Sequence, residues 1–235
     1  MALRICKTSC GKDSSKLRVS LVTLWIDHLE WIDDYKFLAR GCDEIIVVDN
    51  GSTPENAAKI EKMVDDLGGI YVRNKENIGF SAGNNLGASY ATGDIIVFTN
   101  NDIRSSKPII DFIKTDVTED NVLYGASLTS RPIEGITIPY IDGYFVAATR
   151  KTWEKLEWWD AENFPLIYFE DLDLSFRAKA WYNMQLKPCV HWNIFHAGGT
   201  TTSTDKNKYF RDFATNQKVV ADRVKTEIAK RKKQG

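Results

Sequence analysis

Cysteine is scarce in this chain, with four among 235 residues. Cys6, Cys10, Cys42 and Cys189 show no Cys-x-x-Cys spacing, so we expect no zinc ribbon and interpret all four as free thiols. Free thiols fit a reducing compartment. The sequence also lacks an apolar run near the ~18 residues of a membrane span and an N-terminal apolar segment typical of a signal peptide. These absences predict a cytoplasmic protein.

An excess of charge of one sign is also missing, since the formal net charge is -1. Bulk charge therefore gives no reason to expect a nucleic-acid partner. The one basic run, Lys230–Lys233, is typical of a solvated terminal tail. It is only a faint indication of peripheral contact with a membrane.

The first hundred residues alternate between apolar, β-branched runs and segments with helical spacing of apolar residues. Continuous apolar runs such as Ile45–Val48 suit parallel strands that helices cover on both faces. The order β-α-β-α-β-α-β predicts an open, doubly wound α/β sheet. The predicted strands span residues 17–26, 43–50, 70–74 and 94–100, and the predicted helices span 28–40, 54–69 and 80–93.

The remainder of the chain has a less regular pattern. We predict helices over 107–117, 151–159, 170–183 and 209–233, one strand over 140–150, an extended stretch over 185–198 and a polar loop over 200–208. A flexible leader over 1–16 and a single domain over 17–235 follow from this pattern. Within the domain we expect a nucleotide-binding half (17–103), an acceptor and catalytic half (104–220) and a C-terminal helix with a basic tail (221–235).

Polar side chains stand where the predicted strands end. The second strand ends at Asp49, the fourth ends at Asn100–Asp102, and Asn77 follows the third. Each pattern alone is also typical of a turn or a helix cap. Ligands of open α/β sheets bind at the carboxyl ends of the strands. Three polar ends on one edge therefore predict a binding crevice there.

Two common phosphate-binding motifs are missing from the sequence. There is no G-x-G-x-x-G after the first strand and no G-x-x-x-x-G-K-[ST], which argues against an ordinary dinucleotide site and a P-loop. A phosphate-bearing ligand would need another device to offset its charge. A divalent cation on Asp102 is the natural candidate, and carboxylate and carbonyl oxygens suit Mg²⁺ or Mn²⁺.

An ordered set of six motifs resembles the family 2 glycosyltransferases with the GT-A fold, and most of all their rhamnosyltransferase-like branch. The set reads VVDNGS, NKENIGFSAGNNLG, GDIIVFTNND, DGYFVAATR, FEDLDLSFRAKA and HAGG, and the similarity runs from about Arg18 to about Lys218. The resemblance implies a mixed, mostly parallel sheet flanked by helices. It also implies an inverting transfer of sugar from a nucleotide-diphosphate sugar, with Mn²⁺ or Mg²⁺ as cofactor.

The resemblance implies a donor pocket and a metal site. Asp49 would hold the base or ribose, and Asn100–Asn101–Asp102 would replace the family's Asp-x-Asp motif, with Asp102 on the metal. His196 matches a histidine that completes the metal site in some members, although a lone histidine is often structural. The implied donor-pocket residues are Thr23, Asp49, Asn77, Gly79, Asn85, Asn100 and Asn101.

Glu170 and Asp171 match the family's Glu-Asp pair at a helix start, and this match implies that Asp171 is the general base. An acidic first turn of a helix is the structural alternative, which we favour for Asp173. Trp158 and Trp159 would either stack on an acceptor sugar or belong to the core. The loop after Gly198 is predicted to fold over the donor.

The partners implied are a UDP-, dTDP- or GDP-linked donor and a glycan, lipid-linked or protein acceptor. Two other functions stay open from the residues. A nucleotidyltransferase would normally carry a Gly-rich, basic loop after the first strand, where this chain reads TLWIDHLEW. A non-catalytic sugar-nucleotide or glycan binding domain would not need Asp102 and Asp171 together. The oligomeric state stays open.

Overall fold

A computed structural model gives the fold, and it describes residues 17–198 and 206–234. The predicted leader, with Cys6 and Cys10, lies outside the described residues, and so does most of the predicted donor loop. Within the described ranges, no helix combines the length and the apolar character that crossing a bilayer requires.

The elements of the described chain follow the predicted alternation in the first half. The strands are β1 (Val19–Trp25), β2 (Glu44–Asn50), β3 (Ile70–Asn74), β4 (Ile95–Thr99), β5 (Ile103–Ser105), β6 (Val122–Gly125), β7 (Leu128–Ile133), β8 (Ile136–Ile141), β9 (Phe145–Thr149), β10 (Gln185–Pro188) and β11 (Ile194–His196). The α-helices are α1 (Ile32–Leu38), α2 (Pro54–Asp66), α3 (Phe80–Tyr90), α4 (Ile110–Asp116), α5 (Arg150–Leu156), α6 (Glu170–Ala180) and α7 (Lys206–Gln234). Short 3-10 turns span Leu29–Trp31 and Val190–Trp192.

A seven-stranded sheet forms the centre, in the order β10-β6-β9-β4-β1-β2-β3. Strands β4, β1, β2 and β3 are parallel, and β9 runs antiparallel between β4 and β6. This confirms the predicted mixed, mostly parallel sheet. The register sets Thr23 beside Thr99 and Asn50 beside Asn74, so the carboxyl ends of the parallel strands share one edge.

Helices cover both faces of the sheet, as the continuous apolar strands predict. One hydrophobic cluster joins β1 and β2 to residues of α1, α2 and α4, and the other joins the sheet to α3, α5 and α6. Helix α3 lies very close to the sheet, because a Cβ at Gly87 would come within 2.4 Å of Val22 Cγ1. The small residues of α3 allow this approach.

The second half differs from the prediction at several points. The single strand predicted over 140–150 is wrong, because β8 ends at Ile141 and β9 begins at Phe145. The two strands pair in different sheets, β8 with β7 and β9 with β4 and β6, so the turn between them changes sheets. The stretch 185–198 is interrupted by the 3-10 turn, and α7 begins at Lys206, earlier than predicted. Strands β5, β6 and β7 were not predicted.

Buried ion pairs attach α7 to the domain. Arg223 contacts Asp160 and Asp173, and Asp173 also pairs with Arg177 at 2.8 Å. The Asp173 side chain is fully buried, whereas 18% of the Arg223 side chain is exposed. Asp173 is therefore structural, as its position predicted.

Replacing Arg223 with alanine tests how strongly this network stabilises the fold. We expect Arg223→Ala to lower the free energy of unfolding by about 3 kcal/mol or more, because it leaves a buried carboxylate with one cation fewer. The matched control is Lys218→Ala on the same helix, whose pair with Asp222 is exposed and should cost less than about 0.5 kcal/mol. Urea unfolding measures both. Equal losses would contradict the role of the buried network.

Candidate active site

A cavity of about 580 Å³ opens at the carboxyl ends of the parallel strands. Its walls come from the strand ends, from the turn between β8 and β9, and from the segment that leads into α6. Its position confirms the predicted crevice. The cavity brings together seven of the predicted site residues: Asn77, Asn100, Asn101, Asp102, Glu170, Asp171 and His196.

Thr23 and Asp49 do not line the cavity, although both were predicted in the donor pocket. Thr23 is fully buried two residues before the end of β1. Asp49 is also fully buried, and its carboxylate accepts hydrogen bonds from Ser52 N (2.8 Å) and Tyr71 Oη (2.6 Å). Side chains alternate between the two faces of a strand, so the neighbouring residue faces the cavity instead.

That neighbour is Asn50, which the sequence analysis did not select. Its Nδ2 donates to Asn77 Oδ1 at 2.9 Å, and its Oδ1 accepts from Asn74 Nδ2 at 2.9 Å and from Ile78 N at 3.2 Å. This amide network fixes the loop after β3 against the end of β2. The signal for Asn50 was its place as the last residue of a buried strand.

Asn85 also lies outside the cavity lining. Its side chain makes two hydrogen bonds to the backbone of Trp159: it donates to Trp159 O (2.8 Å) and accepts from Trp159 N (3.2 Å). Trp159 is buried between Phe80, Phe98 and Trp153, so its core alternative is correct. Trp158 stacks on Trp153, with ring centroids 6.2 Å apart.

Asp102 and His196 meet at the end of β4. His196 Nε2 lies 3.1 Å from Asp102 Oδ1 and 3.2 Å from Asn100 Nδ2. The antiparallel pair of β5 and β11, which sets His196 opposite Ile103, produces this contact. The His196 ring also stacks on Tyr144 at 4.5 Å. A short strand pair thus joins two predicted residues that are 94 positions apart.

The residues around Asp102 fit a divalent metal by their chemistry. A carboxylate and an imidazole nitrogen stand in contact, and both ligand types suit Mn²⁺. Among the described residues, Asn101 Nδ2 is buried without a hydrogen-bond partner. A buried donor that lacks a partner is costly. Its place beside the cavity suits an oxygen-rich ligand such as a ribose or a phosphate.

The segment before α6 enters the helix in an unusual conformation. Tyr168 and Phe169 have φ angles of 75° and 71°, in the left-handed region that costs energy for residues other than glycine. Asn216 of α7 holds this segment, because its Nδ2 donates to Ile167 O (3.0 Å) and Tyr168 O (2.9 Å). Strain of this kind clusters at functional sites, and here it immediately precedes Glu170 and Asp171.

Asp171 is held by two backbone amides. Its Oδ2 accepts from Gly143 N at 3.1 Å, and its Oδ1 accepts from Leu172 N at 2.7 Å. Burial raises the pKa of Asp171 to about 6, the amides act in the opposite direction, and Asp142 raises the pKa further. A carboxyl with this pKa is ionised at neutral pH yet basic enough to accept a proton.

Glu170 lies beside Asp171 and is buried. Burial raises its pKa well above the usual range, and the neighbouring Asp171 adds to the shift. In the part of the chain that the structure describes, Glu170 Oε2 has no hydrogen-bond partner. The two carboxyls therefore differ in environment, since amides hold Asp171 whereas burial disfavours the charged form of Glu170.

Gly79 lies behind the cavity wall and does not line it. Its φ is 93°, and a Cβ there would come within 1.8 Å of Pro165 O. The next residue, Phe80, donates from its amide to Leu166 O at 2.7 Å. The glycine thus allows a close approach of protein backbone, where the resemblance had implied an approach to the donor.

One cation in the cavity wall was missed by the sequence analysis. Arg131 of β7 lies over the rings of Phe169 (5.1 Å) and Phe213 (5.7 Å). No sequence pattern indicated Arg131, because β7 and α7 reach the cavity only through tertiary packing. Two other arginines donate to backbone carbonyls, Arg150 to those of Ala91 and Gly93, and Arg177 to those of Leu156 and Trp158.

Similar solved structures identify the fold. Mannosyltransferase PcManGT from Pyrobaculum calidifontis, solved with GDP-Man and Mn²⁺, matches with a TM-score of 0.57 at 17% identity, over 74% of this chain and 55% of that one. S. aureus TarS 1-349, solved with UDP, matches with a TM-score of 0.51 at 16% identity, over 69% of this chain and 55% of that one. The chain has the GT-A fold.

Sequence comparison agrees with the GT-A fold over part of the chain. The model of Glycosyl transferase family 2 matches residues 39–116. The "Uncharacterized glycosyltransferase YfnE" of Bacillus subtilis (strain 168) is 35% identical over 86 residues, which are 35% of this chain and 22% of that protein. The chain thus spans about a fifth of this relative and about half of each of the two solved chains.

A pair of glycine substitutions tests the contact behind the cavity wall. Gly79→Ala should destabilise the protein much more than Gly68→Ala, because both positions have positive φ but only Gly79 would clash. The φ penalty alone is about 1–2 kcal/mol. Urea unfolding gives both values. If the two variants lose equal stability, the contact between Gly79 and Pro165 does not shape the site.

Proposed function

We propose that this protein is a family 2 glycosyltransferase that moves a sugar from a nucleotide-diphosphate sugar to an acceptor hydroxyl. One observation carries the proposal: a single cavity presents the Asp102–His196 pair on one wall and Asp171, with a raised pKa, on another. The Asp102–His196 pair suits a diphosphate with its metal, and Asp171 suits the removal of a proton. Sugar transfer needs both features, whereas either feature alone would not indicate a transferase.

The donor would lie along the strand ends. Asn50 and Asn77 offer amide groups at one end of the cavity, and Asn100 and Asn101 offer them beside Asp102. Trp25 and Phe80 add apolar surface that suits a base. The complexes of the two similar structures with GDP-Man and with UDP support a nucleotide ligand here. We propose a UDP-, dTDP- or GDP-linked hexose or deoxyhexose.

Asp102 and His196 would hold a divalent cation, Mn²⁺ or Mg²⁺. The cation would supply neutralising charge for the departing diphosphate. His196 is kept in place for this role by Tyr144 and Asn100, and Asp102 is braced by the amide of Gly198 at 3.2 Å. The Mn²⁺ of the mannosyltransferase complex supports this assignment.

Asp171 would act as the general base. It takes the proton of the acceptor hydroxyl while that oxygen bonds to the anomeric carbon and the nucleoside diphosphate leaves from the opposite face. A single displacement of this kind inverts the anomeric centre. Burial disfavours the charged form of Glu170, so this residue adds little negative charge beside Asp171. The acceptor would be a glycan, a lipid-linked sugar or a protein, and the rhamnosyltransferase-like branch stays a prediction.

The metal assignment predicts a specific loss of donor binding. In the presence of Mn²⁺, the matching sugar nucleotide should raise the melting temperature of the parent protein. Asp102→Asn should abolish this rise, because the neutral amide would no longer hold the cation that offsets the diphosphate charge. The control is Asp222→Asn, an exposed acid on α7, which should keep the full shift. Stabilisation that survives both Asp102→Asn and chelator would refute the role of Asp102.

The base assignment predicts both a mutant and a pH effect. Asp171→Asn should reduce turnover by about 10²–10⁴-fold while keeping donor binding. In the parent, kcat/KM should fall as the pH drops below about 6, since protonation removes the base. Initial rates between pH 5 and 8 measure this. A flat profile, or an active Asp171→Asn variant, would exclude Asp171 as the base.

A further inference from the structure

A second group of metal-ligand side chains lies away from the cavity. Asp116, Cys189 and His191 offer one ligand atom each, and these atoms all lie within 4.8 Å of one another. None of the three lines the cavity around Asp102. The proposed transferase chemistry gives them no role.

The fold brings these residues together from two distant segments. Asp116 is the last residue of α4, while Cys189 and His191 flank the start of the 3-10 turn that follows β10. The Cys189 amide donates to Gly125 O at 2.8 Å, which fixes the turn to the end of β6. The arrangement therefore rests on ordered elements.

A neighbouring tryptophan orients the carboxylate. Asp116 Oδ2 accepts from Trp192 Nε1 at 2.6 Å and contacts His191 Nε2 at 2.7 Å. Trp192 is buried and stacks on Phe112, with centroids 5.1 Å apart. Outer donors that hold a ligand in this way are typical of metal sites.

We propose that Asp116, Cys189 and His191 form a metal site, separate from the cavity, that takes a zinc-type divalent ion. Thiolate, imidazole and carboxylate together favour Zn²⁺ or Co²⁺ over Mg²⁺. Tetrahedral bonds of ~2.0–2.3 Å place ligand atoms roughly 3.3–3.8 Å apart, so only small adjustments are needed. The His191 side chain is exposed and already contacts Asp116, and water would fill the fourth position.

Binding requires one proton to leave. The Cys189 side chain is buried, and a cysteine loses its thiol proton when it binds a metal ion. The metal–sulfur bond forms as the S–H bond breaks and the proton passes to solvent. Affinity should therefore rise with pH. The bound ion would tie the end of α4 to the turn that leads into β11, which carries His196.

Cobalt titration tests the site directly. The whole protein, stripped with chelator, should develop a thiolate-to-cobalt charge-transfer band and the visible bands of tetrahedral Co²⁺, and Zn²⁺ should remove both. Cys189→Ser should abolish the charge-transfer band. His191→Ala, a surface change that should not affect folding, should weaken Zn²⁺ binding beyond the ~10–100-fold cost of losing an outer-shell partner.

Control variants separate this site from other ligands. Cys42→Ser removes the other free thiol of the described residues, Cys6→Ser/Cys10→Ser removes the pair near the N-terminus, and Asp102→Asn alters the cavity. All should keep the thiolate-to-cobalt charge-transfer band of the parent. The proposal is overturned if the folded parent gives no charge-transfer band, if Cys189→Ser or His191→Ala binds like the parent, or if a control variant loses the band.

Discussion

A backbone contact between the start of α3 and the segment before α6 joins the two sides of the cavity. Phe80 N donates to Leu166 O at 2.7 Å, and only a glycine at position 79 leaves room for the carbonyl of Pro165. The same segment continues through two residues with positive φ into Glu170 and Asp171. The distance between the strand ends and Asp171, the proposed base, therefore depends on this contact.

The raised pKa of Asp171 and the strained backbone before it both lower the stability of the fold at neutral pH. The pKa of Asp171 is raised in the folded state from 3.8 to about 6, so the folded protein binds its proton more tightly than the unfolded chain does. The stabilisation that this tighter proton binding contributes is fully present below about pH 4 and is lost as the pH rises through about 6. At neutral pH the fold carries this cost, together with the strain at Tyr168 and Phe169. The buried ion pairs of Asp173 with Arg177 and Arg223 hold α6 in place despite this cost and strain.

The sequence predicted the first half of the fold well, because continuous apolar strands and helices alternate there without interruption. It failed over residues 118–149, where β6, β7 and β8 are short and their pairing is set by distant segments. Asp171 was predicted from the family resemblance, whereas Asp102 and the crevice itself were predicted from the strand ends. Asn50 was missed in favour of Asp49, because strand alternation, and not composition, decides which of the two faces the cavity. Arg131 and Phe213 reach the cavity only through tertiary packing, which cannot be read from a single sequence.

The rival functions account for less of this site. A non-catalytic binding domain has no need of a strained segment that presents a half-buried Asp171 beside the cavity. Among the described residues, the cavity wall includes one arginine rather than the basic loop of a nucleotidyltransferase. The most direct test is a crystal structure of the protein with Mn²⁺ and a sugar nucleotide that stabilises it. The account predicts the diphosphate beside Asp102 and the anomeric carbon facing Asp171. A nucleotide bound outside this cavity, or one whose sugar points away from Asp171, would contradict it.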